Sequence, residues 1–385
     1  MGHIEKRLSM RMEHVDRVLA VLNYKEPDRV VLDLGSPING IHHVALKKLL
    51  ALLGLEGYPV TVYDRMQGLG DIPEFILKHF DIDFRHVRLN PPRLDEIKYL
   101  SEDRYVNEFG ITFERHGHYF EMVEESKPLY DAKSVKDLEK YNPPRPHEGR
   151  VKGLSKIARH YAEEGYAVVA DAFTGGIWEL AEWLHGLSNS LRDLVINPEL
   201  MNAILDLTLN IHKEFWGVFL NEVGDYIHIV LYGDDYGLQT GPQMNPRLWE
   251  RFILPRLREL VSFVKKHTKA KFMLHSCGGI RPLIGKIIEA GIDILNPLQP
   301  KAKGMDRREL KKEFGGKVVF HGGIDIQYVM PRGTSEEVRN EVIDAIETYA
   351  PAYIFSPAHN IQADVPPQNI VTAYRTALIH NPFIQ

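Results

Sequence analysis

Hydrophobic and polar positions follow a regular pattern through most of the chain. From about residue 151 onward, short apolar runs alternate with segments of helical spacing. Strands that alternate with helices form parallel sheets, and strands buried on both faces read as apolar runs. Two earlier runs, residues 29–34 and 82–89, fit the same description. The remaining predicted strands are residues 167–171, 227–232, 271–275, 292–296, 317–321 and 352–356.

These strands, eight in all, predict an α/β protein with a (β/α)8 TIM barrel. A doubly wound open sheet is the alternative, because it is built from the same strand and helix units. No GxGxxG or Walker A sequence is present, so we expect no nucleotide cofactor. Without an internal repeat, residues 1–385 are interpreted as one barrel domain.

The N-terminal part of the chain has mainly helical periodicity. Residues 12–22 carry apolar side chains on one face, which predicts an N-terminal helical extension before the barrel. Residues 43–53 and 61–80 are predicted helices as well, although Gly68 and Gly70 weaken the second of these predictions.

Residues 97–125 differ from the rest of the chain, because aromatic and polar positions alternate around Gly110 and Gly117. This pattern is typical of antiparallel hairpins, and we interpret the segment as an insertion into the barrel. Residues 141–147 contain three prolines and are expected to form a stiff linker. The alternating aromatic residues are Tyr99, Tyr105, Phe109, Phe113, Tyr119 and Phe120.

Composition narrows the classes of function. The net charge is −5 and no arginine-rich run is present, which argues against a nucleic-acid partner. A single cysteine excludes an intrachain disulfide and fits a reducing, cytoplasmic setting. Residues 1–7 lack the apolar core of a secretory signal, and no apolar run reaches the ~18 residues of a membrane span.

Polar side chains follow most of the predicted strands. In a barrel these positions meet at the carboxyl-terminal face, where catalytic groups are found. Each has an ordinary structural explanation: an Asp often caps a helix, a lone His is often hydrogen-bonded core, and a lone Cys often packs as a small hydrophobe. Their convergence in one layer favours a functional site. The residues are Asp33, Asp171, Asp234, Asp235, His275, Cys277, Asn296, Gln299, His321 and His359.

His275 and Cys277 are the strongest candidates for a metal site. They follow a buried strand, and Gly278 and Gly279 allow the backbone to turn there. Zinc favours nitrogen and sulfur ligands, and a catalytic zinc keeps three protein ligands and one open position. The third ligand is predicted to be His359 or His321. The carboxylates that could add a ligand or a partner to an imidazole are Asp234, Asp325 and Asp364.

Four segments resemble the uroporphyrinogen decarboxylase superfamily, most closely its zinc-dependent cobalamin methyltransferase branch. They are His275-Ser-Cys277-Gly, Ile287 to Pro297, Gly322-Gly-Ile-Asp325 and Pro331 to Val338. The resemblance implies a (β/α)8 barrel and a site in which a His-x-Cys motif and a later Cys bind zinc and activate a thiol acceptor. It also implies a corrinoid protein or another methyl donor as partner, and a homodimer.

This chain departs from that pattern because His359 stands where the methyltransferases have the second Cys. A His/Cys/His set carries one negative charge fewer than a His/Cys/Cys set, so the zinc should be more Lewis-acidic. The chemical identity of the methyl acceptor is left open. The predicted metal ligands are therefore His275, Cys277 and His359. The predicted catalytic residues are Asp234, Asp235 and Gln239, and the predicted substrate contacts are Asp33, Asp171, Asn296, Gln299 and His321.

Two other functions remain open at this point. The decarboxylase branch of the superfamily uses no metal and holds a tetrapyrrole through an aspartate, for which Asp33 or Asp234 would serve. Against it, residues 29–36 lack the arginine-rich loop that grips the tetrapyrrole carboxylates. A protein that binds a corrinoid or porphyrin without chemistry is the third interpretation.

Overall fold

A computed structural model describes residues 12–383 of the chain; the prediction about a secretory signal lies outside these residues. Its central sheet consists of eight parallel strands, numbered here in chain order. They are β1 Val31–Leu32, β2 Phe84–Val87, β3 Ala167–Ala170, β4 Ile229–Gly233, β5 Lys271–His275, β6 Ile294–Asn296, β7 Val319–Ile324 and β8 Tyr353–Pro357.

The order of the strands in space follows their order in the chain. The sheet runs β1-β8-β7-β6-β5-β4-β3-β2, and every neighbouring pair is parallel. Between β1 and β2 the Asp83 backbone N–H donates to Leu32 O at 3.0 Å, so the barrel is nearly closed. The predicted TIM barrel is confirmed, and a doubly wound sheet, whose strand order reverses, is excluded.

Helices surround the sheet, and none within residues 12–383 combines the length and apolarity needed to cross a bilayer. Local sequence sets several helix starts: Thr334 and Glu337 form a capping box, and Asn197 accepts from the Leu200 N–H before Pro198. The α-helices are His14–Leu22, His43–Leu52, Glu74–His79, Leu154–Glu163, Ile177–His185, Leu187–Ile196, Pro198–Val223, Pro246–Phe252, Leu254–His267, Arg281–Glu289, Arg307–Phe314, Val329–Arg332, Ser335–Tyr349 and Pro367–Ile379.

The strands bury both of their faces, as their apolar sequences predict. Ile229 and Leu231 of β4 point into the barrel interior, where they join a cluster that includes Met273 of the neighbouring strand. Val230 and Tyr232 of the same strand pack with the helices outside. Alternate residues of one strand therefore serve two separate cores.

The prediction of a helix over residues 61–80 is wrong for most of its length. Val62–Asp64 and Leu69–Gly70 are strands of a small antiparallel sheet with Ile41–His42, and only Glu74–His79 is helical. Gly70 explains the difference, because a Cβ there would lie 2.7 Å from Val60 Cγ1. Because Gly70 has no side chain, the Val60 and Leu46 side chains pack directly against its backbone.

Residues 98–122 form a four-stranded antiparallel sheet outside the barrel. Tyr105 stacks on Phe113 with ring centroids 5.1 Å apart. The Arg65 guanidinium, from the small sheet of the barrel, lies 5.0 Å from the Phe120 ring centroid. Residues 141–147 contain neither helix nor strand. The four strands are Lys98–Ser101, Arg104–Val106, Thr112–His116 and Tyr119–Met122.

Candidate metal centre

Three potential metal ligands meet at the carboxyl-terminal face of the barrel. His275 ends β5, Cys277 lies in the turn after it, and His359 follows β8. One ligand atom from each of these residues lies within 4.8 Å of the others, and no other group of this kind occurs among residues 12–383. Imidazole nitrogen and thiolate sulfur are preferred zinc ligands, so the donor set fits that ion.

The backbone and its neighbours fix the positions of the two residues from β5. His275 Nδ1 is hydrogen-bonded to the side-chain oxygen of Asn296, which leaves Nε2 3.4 Å from Cys277 Sγ. The Cys277 backbone N–H donates to Asp235 at 2.7 Å. Gly278 has a φ of +84°, and a Cβ there would collide with the Gly237 backbone. The turn therefore depends on this glycine.

The cluster is electrically neutral in the structure described here. Burial lowers the pKa of His275 and of His359 to about 4, so both rings are neutral near pH 7. Burial, together with the charge of Asp235, raises the pKa of the Cys277 thiol well above its ordinary value. A bound cation would reverse this preference, since a thiol that ligates zinc loses its proton.

A chain of buried hydrogen bonds extends from His275 across the barrel. The Asn296 amide nitrogen lies 2.6 Å from His321 Nδ1, and His321 Nε2 lies 2.8 Å from Asp33. Asp33 also contacts His86 Nε2 at 2.8 Å. His86 Nδ1 contacts Asp171 at the same distance. His321 therefore uses both ring nitrogens within this network and does not join the metal cluster.

His86 is the positively charged member of this network. Burial would lower its pKa, but the carboxylates of Asp171 and Asp33 raise it to about 10. Burial would likewise raise the pKa of Asp33, yet His86 and His321 hold it well below its ordinary value. A buried imidazolium between two carboxylates thus replaces water as the partner of both charges.

The predicted catalytic residues lie in three different environments. Asp234 is fully buried and accepts from the Trp178 and Glu179 N–H groups, so it caps the helix Ile177–His185. Asp235 lies beside the cluster, with one carboxylate oxygen 3.7 Å from His275 Nε2. Gln239 is exposed at the rim.

Gln299, one of the predicted substrate contacts, lies next to the cluster as well. Its side-chain oxygen accepts from the Gly278 N–H at 2.9 Å and from the Gln239 side chain at 3.2 Å. Its amide nitrogen lies 3.5 Å from Cys277 Sγ. Gln299 therefore braces the turn that carries the cysteine.

Two polar residues of the site were missed by the sequence analysis. His86 lies within β2, where Arg85-His86 interrupts an apolar run; two polar residues inside a buried strand were the signal. Glu179 lies in the first turn of the helix Ile177–His185 and lines the cavity beside Asp235. Burial and the charge of Asp235 raise the pKa of Glu179 well above its ordinary value. Such an environment favours the protonated form of the carboxyl group.

A cavity of about 400 Å³ connects the cluster with the inserted antiparallel sheet. His275 and His359 line one end, and Tyr105 and Phe113 of the insertion line the other. The volume is in the range of small-molecule sites. The insertion thus forms a wall of the same cavity that the cluster opens into.

Arginines also line this cavity, and two of them are paired with carboxylates. Arg88 contacts Asp71 at 2.6 Å, and Arg150 contacts Glu108 at 2.5 Å. Neither arginine lies in residues 29–36, the segment where the family resemblance implies arginines. These arginines come from other segments, which only the fold brings to the cavity.

The fold and the cluster together define a (β/α)8 barrel with an enzyme-like site at the carboxyl ends of its strands. The family model of uroporphyrinogen decarboxylase (URO-D) matches residues 98–377, and the chain belongs to this family. The resemblance noted in the sequence is thereby confirmed. No individually curated protein sequence matches the chain.

Solved structures with a similar fold include a methyltransferase from Methanosarcina mazei. It has a TM-score of 0.65 and 16% identity, with 95% of this chain and 98% of that chain covered. A putative vitamin-B12 independent methionine synthase from Listeria monocytogenes has a TM-score of 0.40 and 11% identity, covering 91% and 98%. A 3-keto-D-glucoside 4-epimerase from E. coli has a TM-score of 0.36 and 14% identity, covering 59% and 83%.

Proposed function

We propose that this protein is a zinc-dependent methyltransferase whose metal ligands are His275, Cys277 and His359. The observation that carries the proposal is the convergence of these three ligand atoms within 4.8 Å at the carboxyl-terminal face of the barrel. Membership in the uroporphyrinogen decarboxylase family and the fold shared with a methyltransferase support the assignment. Bound zinc would lower the pKa of a thiol or hydroxyl acceptor and make it a nucleophile near neutral pH.

The surrounding residues would orient this site and the acceptor. Asn296 holds the His275 ring so that Nε2 faces Cys277. Asp235 holds the Cys277 backbone N–H, and Gln299 holds that of Gly278. Such outer contacts fix ligand orientation and keep the site from rearranging when the ion binds.

Glu179 would act on the acceptor from the other side. It lines the cavity beside Asp235, and burial together with the charge of Asp235 raises its pKa, which favours the protonated form that can donate a hydrogen bond. During transfer the bond from the methyl carbon to its donor breaks, a bond from the acceptor to this carbon forms, and the acceptor proton leaves to solvent. The methyl donor is proposed to be a methylated corrinoid protein or another methyl donor.

The first test is the metal content of purified wild type beside His359→Ala. We expect about one zinc per wild-type chain and a large loss in the variant, because two remaining ligands hold zinc poorly. His116→Ala is the matched control, since His116 is exposed on the inserted sheet. A wild-type protein without stoichiometric metal, prepared in the absence of chelators, would overturn the proposal.

The second test is methyl transfer from methylcobalamin to a small thiol or alcohol, followed in parallel with the metal content. Activity should disappear together with zinc in His359→Ala and Cys277→Ala. Activity that persists in metal-free Cys277→Ala would contradict the assigned role of the cluster.

A metal-free tetrapyrrole decarboxylase is the second candidate, favoured by the family and by the arginines that line the cavity. Against it, both carboxylate oxygens of Asp33 are already hydrogen-bonded, to His86 and to His321 and Asn39. That aspartate is not free to accept from pyrrole N–H groups. Turnover of uroporphyrinogen by metal-stripped protein would establish this alternative.

A further inference from the structure

The buried chain from Asp33 to His275 has a definite direction. Asp33 is an ionised carboxylate and can only accept, so His321 must donate to it from Nε2 over 2.8 Å. A neutral His321 ring then has its lone pair on Nδ1, 2.6 Å from the Asn296 side-chain nitrogen. Each bond fixes the direction of the next one.

The direction of these hydrogen bonds also determines which nitrogen of His275 carries the proton. Because Asn296 presents its NH2 group to His321, its carbonyl oxygen faces His275 Nδ1. The proton of His275 must therefore be on Nδ1, and the lone pair on Nε2. Nε2 is the nitrogen that lies 3.4 Å from Cys277 Sγ.

We infer that Asp33 is a positioning residue that sets the tautomer of His275 through His321 and Asn296, and so keeps Nε2 free to bind a metal. Asp33 is 1% exposed and does not reach the cluster itself. Neutral imidazole in water favours the opposite tautomer only slightly, so a directed hydrogen-bond chain suffices to select one form.

Burial keeps the direction of these hydrogen bonds fixed. His321 is 0% exposed and Asn296 is 1% exposed, so water does not compete for either side chain. The second Asp33 oxygen is held by His86, and Asn39 donates to the first at 2.8 Å. The carboxylate therefore has no freedom to rotate away from His321.

The test measures which ring nitrogen of His275 carries the proton. Two-bond 1H–15N spectra of metal-free protein with 15N-labelled histidine report this directly, and His275→Gln assigns the signal among the 18 histidines. Wild type should have the proton on Nδ1. Asp33→Asn replaces a carboxylate that can only accept with an amide that can also donate. We therefore expect a mixture of the two neutral His275 tautomers, including the one with the proton on Nε2.

Asp171→Asn is the matched control. Asp171 is also fully buried and also contacts His86 at 2.8 Å, but it does not contact His321. His275 should keep its proton on Nδ1 in this variant. Asn296→Asp should keep it as well, because the introduced carboxylate still accepts from His275 Nδ1 while it reverses the bond to His321.

His321→Phe provides the same test if Asp33→Asn does not fold, because it breaks the chain without removing a buried charge. We expect mixed His275 tautomers in either variant, and zinc affinity, measured by competition with a chelator, about 10–100-fold below wild type. Unchanged tautomer in both folded variants, or an Nε2-protonated His275 in wild type, would overturn the inference.

The affinity readout rests on the proposed zinc site, whereas the tautomer readout does not. If wild type binds no zinc but the tautomer responds to Asp33→Asn, the proposed function fails and the positioning role stands. If zinc binds at the cluster but the His275 tautomer is the same in Asp33→Asn and His321→Phe as in wild type, the positioning role fails and the proposed function stands. The two failures are therefore distinguishable.

Discussion

The two ends of the barrel each contain a buried polar network, and the two networks are built differently. At the amino-terminal end, Asp83 precedes β2 and accepts from Arg17 at 2.6 Å, Arg29 at 2.8 Å and His14 at 2.8 Å. At the carboxyl-terminal end, one chain of hydrogen-bonded side chains runs from His275 through Asn296, His321, Asp33 and His86 to Asp171. The apolar barrel interior separates the two networks.

The difference lies in how completely the groups are paired. At the amino-terminal end both Asp83 oxygens have donors, one of them the Leu32 backbone N–H that also joins β1 to β2. At the carboxyl-terminal end one Asp171 oxygen has no hydrogen-bond partner among residues 12–383, and within the cluster only a 3.4 Å contact joins Cys277 Sγ to His275 Nε2. Complete pairing indicates a structural role, and incomplete pairing indicates a site kept for a ligand.

The largest expected effect comes from Asp83→Asn. Arg17 and Arg29, both buried, would each lose one of two carboxylate partners, while Arg17 keeps Asp28 and Arg29 keeps Asp81. Breaking a buried ion pair from one side costs about 3–5 kcal/mol, so urea denaturation should show a loss of this order in the free energy of unfolding.

If the amino-terminal network is structural only, the folded fraction of Asp83→Asn should bind as much zinc per chain as wild type does. Glu289→Gln serves as control, because it breaks an exposed pair with Lys286 and should leave stability unchanged. Wild-type stability in Asp83→Asn would refute the structural role.

The next largest expected effect is a change of stability with pH, which has opposite signs in the two networks. The folded pKa of His86 is about 10, above its ordinary value. Its contribution to stability is therefore full below about pH 6.5 and is lost as the pH rises through about 10. The pKa of Asp83 is lowered: burial would raise it, but His14, Arg29 and Arg17 outweigh burial, so its contribution is lost in acid instead.

Urea denaturation of wild type and His86→Gln between pH 6 and pH 10 tests this assignment. The stability difference between the two proteins should shrink as the pH rises through this range, and tyrosine and lysine titrations cancel in the comparison. A difference that does not change with pH would show that His86 is not the charged group between Asp33 and Asp171.

The pairing of polar groups also explains how far the sequence could predict the site. His275, Cys277, Asn296 and His321 were found because each follows or ends an apolar run, and the strands of a parallel barrel bring such positions together. Their assignment to roles stays a prediction. The sequence pattern could not predict the direction of the hydrogen bonds in this network. Which nitrogen faces which oxygen depends on the register of β5, β6 and β7.

The shared position of the cavity arginines could not be predicted from the sequence. Arg88 directly follows β2 and Arg150 lies beyond the insertion, and only the fold brings the two to one cavity. The predicted helix over residues 61–80 failed for a related reason. Its helical spacing was overridden by the packing of the Val60 and Leu46 side chains against Gly70, which apolar periodicity does not record. The division into a single domain remains a prediction.

A smaller effect is expected where the insertion joins the barrel. The Arg65 guanidinium lies 5.0–5.2 Å from the ring centroids of Tyr99, Tyr105 and Phe120. Arg65→Met should cost about 0.5–1 kcal/mol and speed proteolytic cleavage within residues 98–122. Arg115→Met is the control, since Arg115 contacts Phe120 from within the same sheet and does not bridge to the barrel. Equal cleavage of both variants would contradict the bridging role.

The smallest effect on stability is expected from Cys277→Ser, and it separates the two ends of the barrel most clearly. Cys277 is only half-buried and the change is nearly isosteric, so metal-free wild type and variant should differ by less than about 0.5 kcal/mol. On the proposed assignment, zinc binds the folded wild-type protein and should raise its melting temperature as the zinc concentration increases. The variant should show no such rise. Asp83→Asn should behave in the opposite way, with low stability and a full response to zinc. If Cys277→Ser instead unfolds as readily as Asp83→Asn in the absence of metal, the carboxyl-terminal network is a structural element like its counterpart, and its open pairing would have no functional meaning.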